Sequence, residues 1–209
     1  MRKILIPITV VAFFVSCEKG LNYAKRFPYD KGYVLVNQNG DTVRLSDFRG
    51  KVVVAGYIYT HCPDICPFIT NNMKKIQRLV NADPALKDTV IFLSITFDPR
   101  RDSPEVLREY ARLYRVDTSN WVFLTGERRV IDSLMKDLGI VVEVGPMSLD
   151  VRVDTLEDGR VVADTVYRYE ILHTDRIHVV TPDGRIFSYF KGSEADPNEV
   201  MKTIKEAIK

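Results

Sequence analysis

The chain has 209 residues, 45% of them apolar and 28% charged, with a formal net charge of +2. That length holds one good-sized domain and a short appendage, and the composition is that of a globular domain. Lysine and arginine are interspersed with aspartate and glutamate, which describes a solvated surface and gives no basis for nucleic-acid binding.

Arg2 and Lys3 open the chain, and Ile4 to Val15 is almost wholly apolar. The run is short against the roughly 20 residues that span a bilayer and matches the basic and apolar regions of an export signal. It ends in Phe14-Val15-Ser16-Cys17, which resembles a bacterial lipobox, with Phe14 where that motif prefers leucine. In such a motif Cys17 is diacylated and becomes the mature N-terminus; the alternative is an uncleaved apolar anchor. Either reading exports the domain and tethers it to the outer (periplasmic) face of a membrane. The expected organisation is a signal or anchor over 1–17, a tether over 18–30 and a folded domain over 31–209.

Val34 to Asn37 and Val43 to Leu45, around Gly40, predict a small N-terminal hairpin. Lys51 to Thr60 is a continuous apolar run of strand length, the pattern of a strand covered on both faces. It leads into His61-Cys62-Pro63-Asp64-Ile65-Cys66-Pro67, where Pro67 suits the first turn of a helix. Phe68, Met73, Ile76, Leu79 and Val80 continue at helical spacing. A second apolar strand spans Val90 to Phe97, and Ser103-Pro104-Glu105 opens a helix to about Tyr114. Trp121 to Leu124 reads as a short strand and Glu127 to Leu138 as a helix. Ile177 to Thr181 and Ile186 to Phe190 form a hairpin across Pro182-Asp183-Gly184, and Asp196-Pro197 starts a final helix.

Strands alternating with helices predict an α/β fold, and the closing antiparallel pair makes its central sheet mixed. A cysteine pair where a central strand meets a helix is the thioredoxin arrangement. Leu149 to Tyr169 breaks the alternation: two extended runs around Glu157-Asp158-Gly159 read as an inserted β-hairpin. Its strands bury too little for a second core, so it is expected to pack on the domain or on a partner.

Cys62 and Cys66 are four apart, so in a helical turn both sulfurs face one way and can hold one soft ion. The helix dipole beside Cys66 favours its thiolate. In an exported domain the two cysteines could also join in a disulfide. Thiolates favour copper(I), zinc or iron–sulfur clusters. Closed zinc sites want four ligands, and iron–sulfur clusters usually want four cysteines. Cys62, Cys66, His173 and His178 mimic the ligand types of a zinc site, but residues five apart on a strand point to opposite faces. Two thiolates and one imidazole suit copper in either oxidation state. Spacing alone leaves each of His61, His173 and His178 with a structural role as its alternative.

The stretch Tyr59-Thr60-His61-Cys62-Pro63-Asp64-Ile65-Cys66-Pro67 resembles the signature of the Sco/SenC family of copper chaperones. Asp98-Pro99-Arg100-Arg101-Asp102 resembles that family's Asp-Pro-x-Arg-Asp motif. His173-Thr174 with Pro182-Asp183-Gly184 resembles its His-Thr and Pro-Asp-Gly block. The similarity spans about 35 to 209. It implies a thioredoxin-like fold in which Cys62, Cys66 and His173 bind one copper ion and His178 is structural. It gives Asp98 a role beside the site, in partner docking, or in forming the turn with Pro99. It further implies a chaperone that supplies copper to the dinuclear centre of cytochrome c oxidase subunit II or to another copper-accepting protein. The alternative is an enzyme, a thiol–disulfide oxidoreductase that uses Cys62 and Cys66 to reduce the recipient's cysteines. The three residues between the pair, rather than the two of thioredoxin, stand against it.

Overall fold

The computed structural model describes residues 26–208. The export or lipidation signal, Cys17 and residues 18–25 of the tether lie outside the described residues. The strands are β1 (Val34–Asn37), β2 (Thr42–Arg44), β3 (Val52–Ile58), β4 (Val90–Thr96), β5 (Trp121–Thr125), β6 (Val142–Val144), β7 (Ser148–Thr155), β8 (Val161–Arg168), β9 (Ile171–His173), β10 (Ile177–Val180) and β11 (Ile186–Phe190). The helices are α1 (Ile65–Ala82), α2 (Pro104–Leu113), α3 (Arg128–Asp137) and α4 (Pro197–Ala207).

Seven strands form one sheet in the order β11-β10-β3-β4-β5-β1-β2. The centre, β3-β4-β5, is parallel, and antiparallel pairs flank it on both sides. This is the expected mixed, thioredoxin-like sheet. The N-terminal hairpin β1–β2 does more than expected, because β1 pairs with β5 and extends the sheet. β3 and β4 are buried at every position, which explains their unbroken apolar composition. Along α1, Ile69, Met73, Ile76 and Val80 are buried at helical spacing. Gly56 in β3 leaves room for this helix: a Cβ there would stand 2.4 Å from the Met73 sulfur.

The helix starts follow their sequence signals. Ser103 Oγ accepts from the Val106 amide at the head of α2, and Asp196 accepts from the Asn198 amide at the head of α4, each with proline in the first turn. Polar groups at the centre of the sheet are paired, as burial requires. Trp121 Nε1 donates to Ser94 Oγ at 3.0 Å, and the Phe123 amide donates to Gln38 Oε1 at 2.9 Å.

Two expectations are corrected. Phe27 and Tyr29 are buried in the core, so residues 26–30 belong to the folded domain rather than to a tether; aromatic side chains of that size gain too much by burial to stay in a linker. The inserted hairpin β7–β8 forms, with Val151 opposite Thr165 and Asp154 opposite Val162. Among the described residues it shows no packing on the domain, however: Leu149, Val151, Val153 and Val161 are all exposed. Its valines fall on both faces of the ribbon, since Val151 and Val162 belong to cross-strand pairs of opposite parity. Neither face is apolar enough to be drawn into the core.

His178 lies on β10, opposite Ala55 of β3, and is 2% exposed. Its Nδ1 is 2.7 Å from the hydroxyl of Tyr57, which is itself buried. Burial first, then the charge of Arg176, pushes the imidazole down from 6.5 to about 3. The unfolded chain therefore takes up a proton near pH 6.5 that the folded chain refuses down to about pH 3. This contribution is neutral above pH 6.5 and destabilises progressively below it. Between pH 7 and pH 5, His178→Gln should lose about 2 kcal/mol less stability than the parent, measured by urea denaturation of both at the two pH values.

Candidate metal centre

The site is built at the carboxyl ends of the parallel strands, where open α/β sheets place their ligands. β3 runs into a turn through Thr60 and His61 that delivers Cys62, and α1 begins three residues later with Cys66 in its first turn. The histidine arrives from the other side. β9 pairs antiparallel with β6, Val142 opposite His173, and Thr174 closes the ribbon: its amide donates to the Val141 carbonyl at 3.0 Å and its Oγ1 accepts from the Val141 amide at 2.9 Å. The next residue, Asp175, accepts from the amide and hydroxyl of Ser193, at 3.0 and 2.5 Å. His173 is therefore the last residue of a strand.

Cys62 Sγ, Cys66 Sγ and a ring nitrogen of His173 all lie within 4.8 Å of one another, and Cys66 Sγ is 3.5 Å from His173 Nε2. With metal–ligand bonds of about 2.0–2.3 Å, one ion bridges such a set after slight closing. His173 Nδ1 is 3.1 Å from the Thr174 carbonyl, which fixes the ring so that Nε2 is the atom that faces the sulfurs. Its ring is packed 4.5 Å from that of Phe97 and 6.0 Å, edge to face, from that of Tyr59. Cys62 and His173 open onto a cleft of about 560 Å³ whose walls include Tyr59, Asp64, Glu143, Glu170 and Leu172, while Cys66 is fully buried. His61 and His178 are not part of the cluster.

The two sulfurs differ. Cys62 is half-buried and Cys66 fully buried, and neither is in a disulfide. Hydrogen bonding from the Cys66 thiol, then from His173, holds the Cys62 thiol down to about 3, against the opposing effect of burial. Burial, then the Cys62 sulfur, pushes the Cys66 thiol well up. The helix dipole expected to favour a Cys66 thiolate is thus outweighed by desolvation, and the negative charge sits on Cys62. Tyr59 is buried beside the pair, its phenol pushed up to about 12 by burial and by charge on Cys62.

Asp98 is 0% exposed, so it offers no surface to a partner. Its carboxylate accepts from Arg101 Nε at 2.5 Å and from the Tyr169 hydroxyl, an internal role that the docking expectation missed. Asp102, equally buried, accepts from the Thr60 amide at 3.1 Å and from the hydroxyls of Thr60 and Thr96 at 2.5 Å each. Arg101 and Asp102 stand in the Asp-Pro-x-Arg-Asp stretch, which was their signal; Phe97 and Tyr169 carried none.

Fold and site together define a thioredoxin-like α/β domain bearing a two-cysteine, one-histidine ligand cluster. A model of the SCO1/SenC family matches residues 22–209, and the chain belongs to that family. The SCO1 protein homolog of Bacillus subtilis is 26% identical over 178 residues, which cover 84% of this chain and 80% of that one. A SCO1/SenC family lipoprotein from Bacillus anthracis superposes with a TM-score of 0.65 at 27% identity, covering 92% of this chain and 99% of that one. Copper-bound ScoI from Bradyrhizobium japonicum does so with a TM-score of 0.65 at 25% identity, covering 84% and 97%.

The asymmetry of the thiols has a direct chemical readout. At pH 6 iodoacetamide should alkylate Cys62 at least tenfold faster than Cys66, since reaction requires both thiolate and access. Peptide mass mapping over time checks this; faster modification of Cys66 would contradict the assignment.

Proposed function

We propose that the protein binds one copper ion through Cys62, Cys66 and His173 and passes it to a copper-accepting protein of the respiratory chain, the dinuclear centre of cytochrome c oxidase subunit II. The observation that carries this reading is the convergence of two sulfurs and an imidazole nitrogen within 4.8 Å at the wall of an open cleft. Soft thiolates select copper over harder cations, and three protein ligands leave a position through which a recipient's ligand enters. The relatives support it: ScoI of Bradyrhizobium japonicum was crystallised with copper bound, and BsSco, 26% identical to this chain, is described as a member of the Sco family of cytochrome c oxidase assembly proteins.

The protein loaded with copper(II) should hold one ion per chain and show sulfur-to-copper charge-transfer absorption. Cys62→Ser or Cys66→Ser should abolish that band, and His173→Ala should weaken or shift it. An unchanged band in the double cysteine variant rules the site out. A second reading, thiol–disulfide exchange with the recipient, is favoured by the half-exposed Cys62 beside the buried Cys66 thiol, the arrangement of an attacking and a resolving sulfur. The two activities compete for the same atoms and are compatible in one protein.

The lipobox-like Phe14-Val15-Ser16-Cys17 supports attachment of the domain to the outer face of a membrane through lipid on Cys17. Among the described residues no helix is long and apolar enough to cross a bilayer. Mass spectrometry of the native protein should find an acylated Cys17 as the first residue, and Cys17→Ser should leave the precursor unprocessed. An intact, unacylated N-terminus favours the uncleaved anchor instead.

A further inference from the structure

Arg101 is a cation with almost no contact with water, its side chain 10% exposed. Nε donates to Asp98 Oδ2 at 2.5 Å, and Nη1 donates to the Tyr169 carbonyl at 3.1 Å. The guanidinium carbon lies 3.6 Å from the centroid of the Tyr169 ring and 5.4 Å from that of Tyr59. The Tyr169 hydroxyl closes the circuit by donating to the other oxygen of Asp98. The remaining nitrogen, Nη2, is buried with no hydrogen-bond partner. An unsatisfied buried donor is costly, and a charge so placed persists only where its pairing and packing compensate. Here the compensation comes from the carboxylate and the two ring faces.

Those two rings sit on the two stretches of chain that bring the ligands together. Tyr59 is three residues before Cys62, and Tyr169 is four residues before His173. Only a planar, forked cation can stack between rings and bond along its edge at once, so lysine would not serve. We propose that Arg101 is a positioning residue, a pin between Tyr59 and Tyr169 that sets the separation of the cysteine and histidine halves of the metal site. The β6–β9 ladder and Asp175 hold the histidine segment from β6 and from Ser193; Arg101 holds it from the cysteine side.

The inference rests on the copper reading for its spectroscopic arm, while its exchange arm needs no metal. In the full-length, metal-free protein in detergent, Arg101→Gln and Tyr169→Leu should each raise hydrogen exchange at least tenfold across 59–62 and 169–174. Amides of β3 and β4 should keep their parent rates. With copper(II) bound, both variants should shift the charge-transfer band and release copper to a chelator about tenfold faster. Parent-like exchange in a folded Arg101→Gln protein overturns the proposal; if that variant does not fold, parent-like exchange in Tyr169→Leu does so. Faster exchange spread across the whole sheet also overturns it, because that marks a general loss of stability. If the parent itself binds no copper, the copper reading falls and the exchange result alone decides the pin.

Discussion

Burying a carboxylate among neutral donors is unfavourable unless its lone pairs are met by hydrogens, and Asp102 meets that condition with two threonines. Thr60 follows β3 and supplies both its amide and its hydroxyl; Thr96 ends β4 and supplies its hydroxyl. The carboxylate therefore ties together the carboxyl ends of the two central parallel strands, at the level from which the chain departs toward Cys62. Burial still dominates and raises the affinity of Asp102 for a proton, with the hydrogen bonds working against it. The arrangement above it, from the turn at Thr60 and His61 to the first turn of α1, stands on this knot. Phe97, directly after β4, supplies the surface against which the His173 ring lies.

Much of this was readable in the sequence, for reasons that differ by element. β3 and β4 were legible because strands covered on both faces carry unbroken apolar runs, and α2 and α4 because Ser103-Pro104 and Asp196-Pro197 announce a helix start. β6 and β9 were not, since three residues cannot show a period of two and their pairing joins positions about thirty residues apart. The ligand set followed from family resemblance rather than spacing, which could not separate His173 from His178. The charge distribution within the cysteine pair was misjudged because a local rule, the dipole at a helix start, was applied without the burial of Cys66, a property of the assembled sheet. Arg101 meets Tyr169 across 68 positions of sequence, and no periodicity reports such a contact.

The inserted hairpin has the opposite character. Its strands pair with each other, an ion pair joins Arg168 to Asp150 at its base, and Leu149, Val151, Val153, Val161 and Val162 face solvent. A two-stranded ribbon with little support is marginal in water, yet it joins the chain immediately before one of the firmest points of the structure. Tyr169 is bonded through its hydroxyl and its carbonyl and is stacked on a guanidinium. Displacement of the ribbon therefore meets that anchorage before it reaches β9. An insertion this long is compatible with a defined ligand geometry because the boundary between them is fastened.

The first described residue adds an orientation. Arg26 forms a bridge with Arg185, and the Phe27 amide donates to the Gly184 carbonyl at 2.8 Å, beside the turn that joins β10 to β11. That turn meets Gly50, just ahead of β3, whereas Cys62 follows the far end of the same strand. The N-terminal segment and the metal cleft thus leave the domain from opposite poles, separated by at least the length of β3, about 23 Å at roughly 3.3 Å per residue. Were the domain held on a surface by that segment, its cleft would lie at the pole away from the point of attachment. Ions and proteins arriving from the aqueous phase meet the ligands directly; a partner embedded in the same surface must rise to that height, or the domain must tip over to reach it.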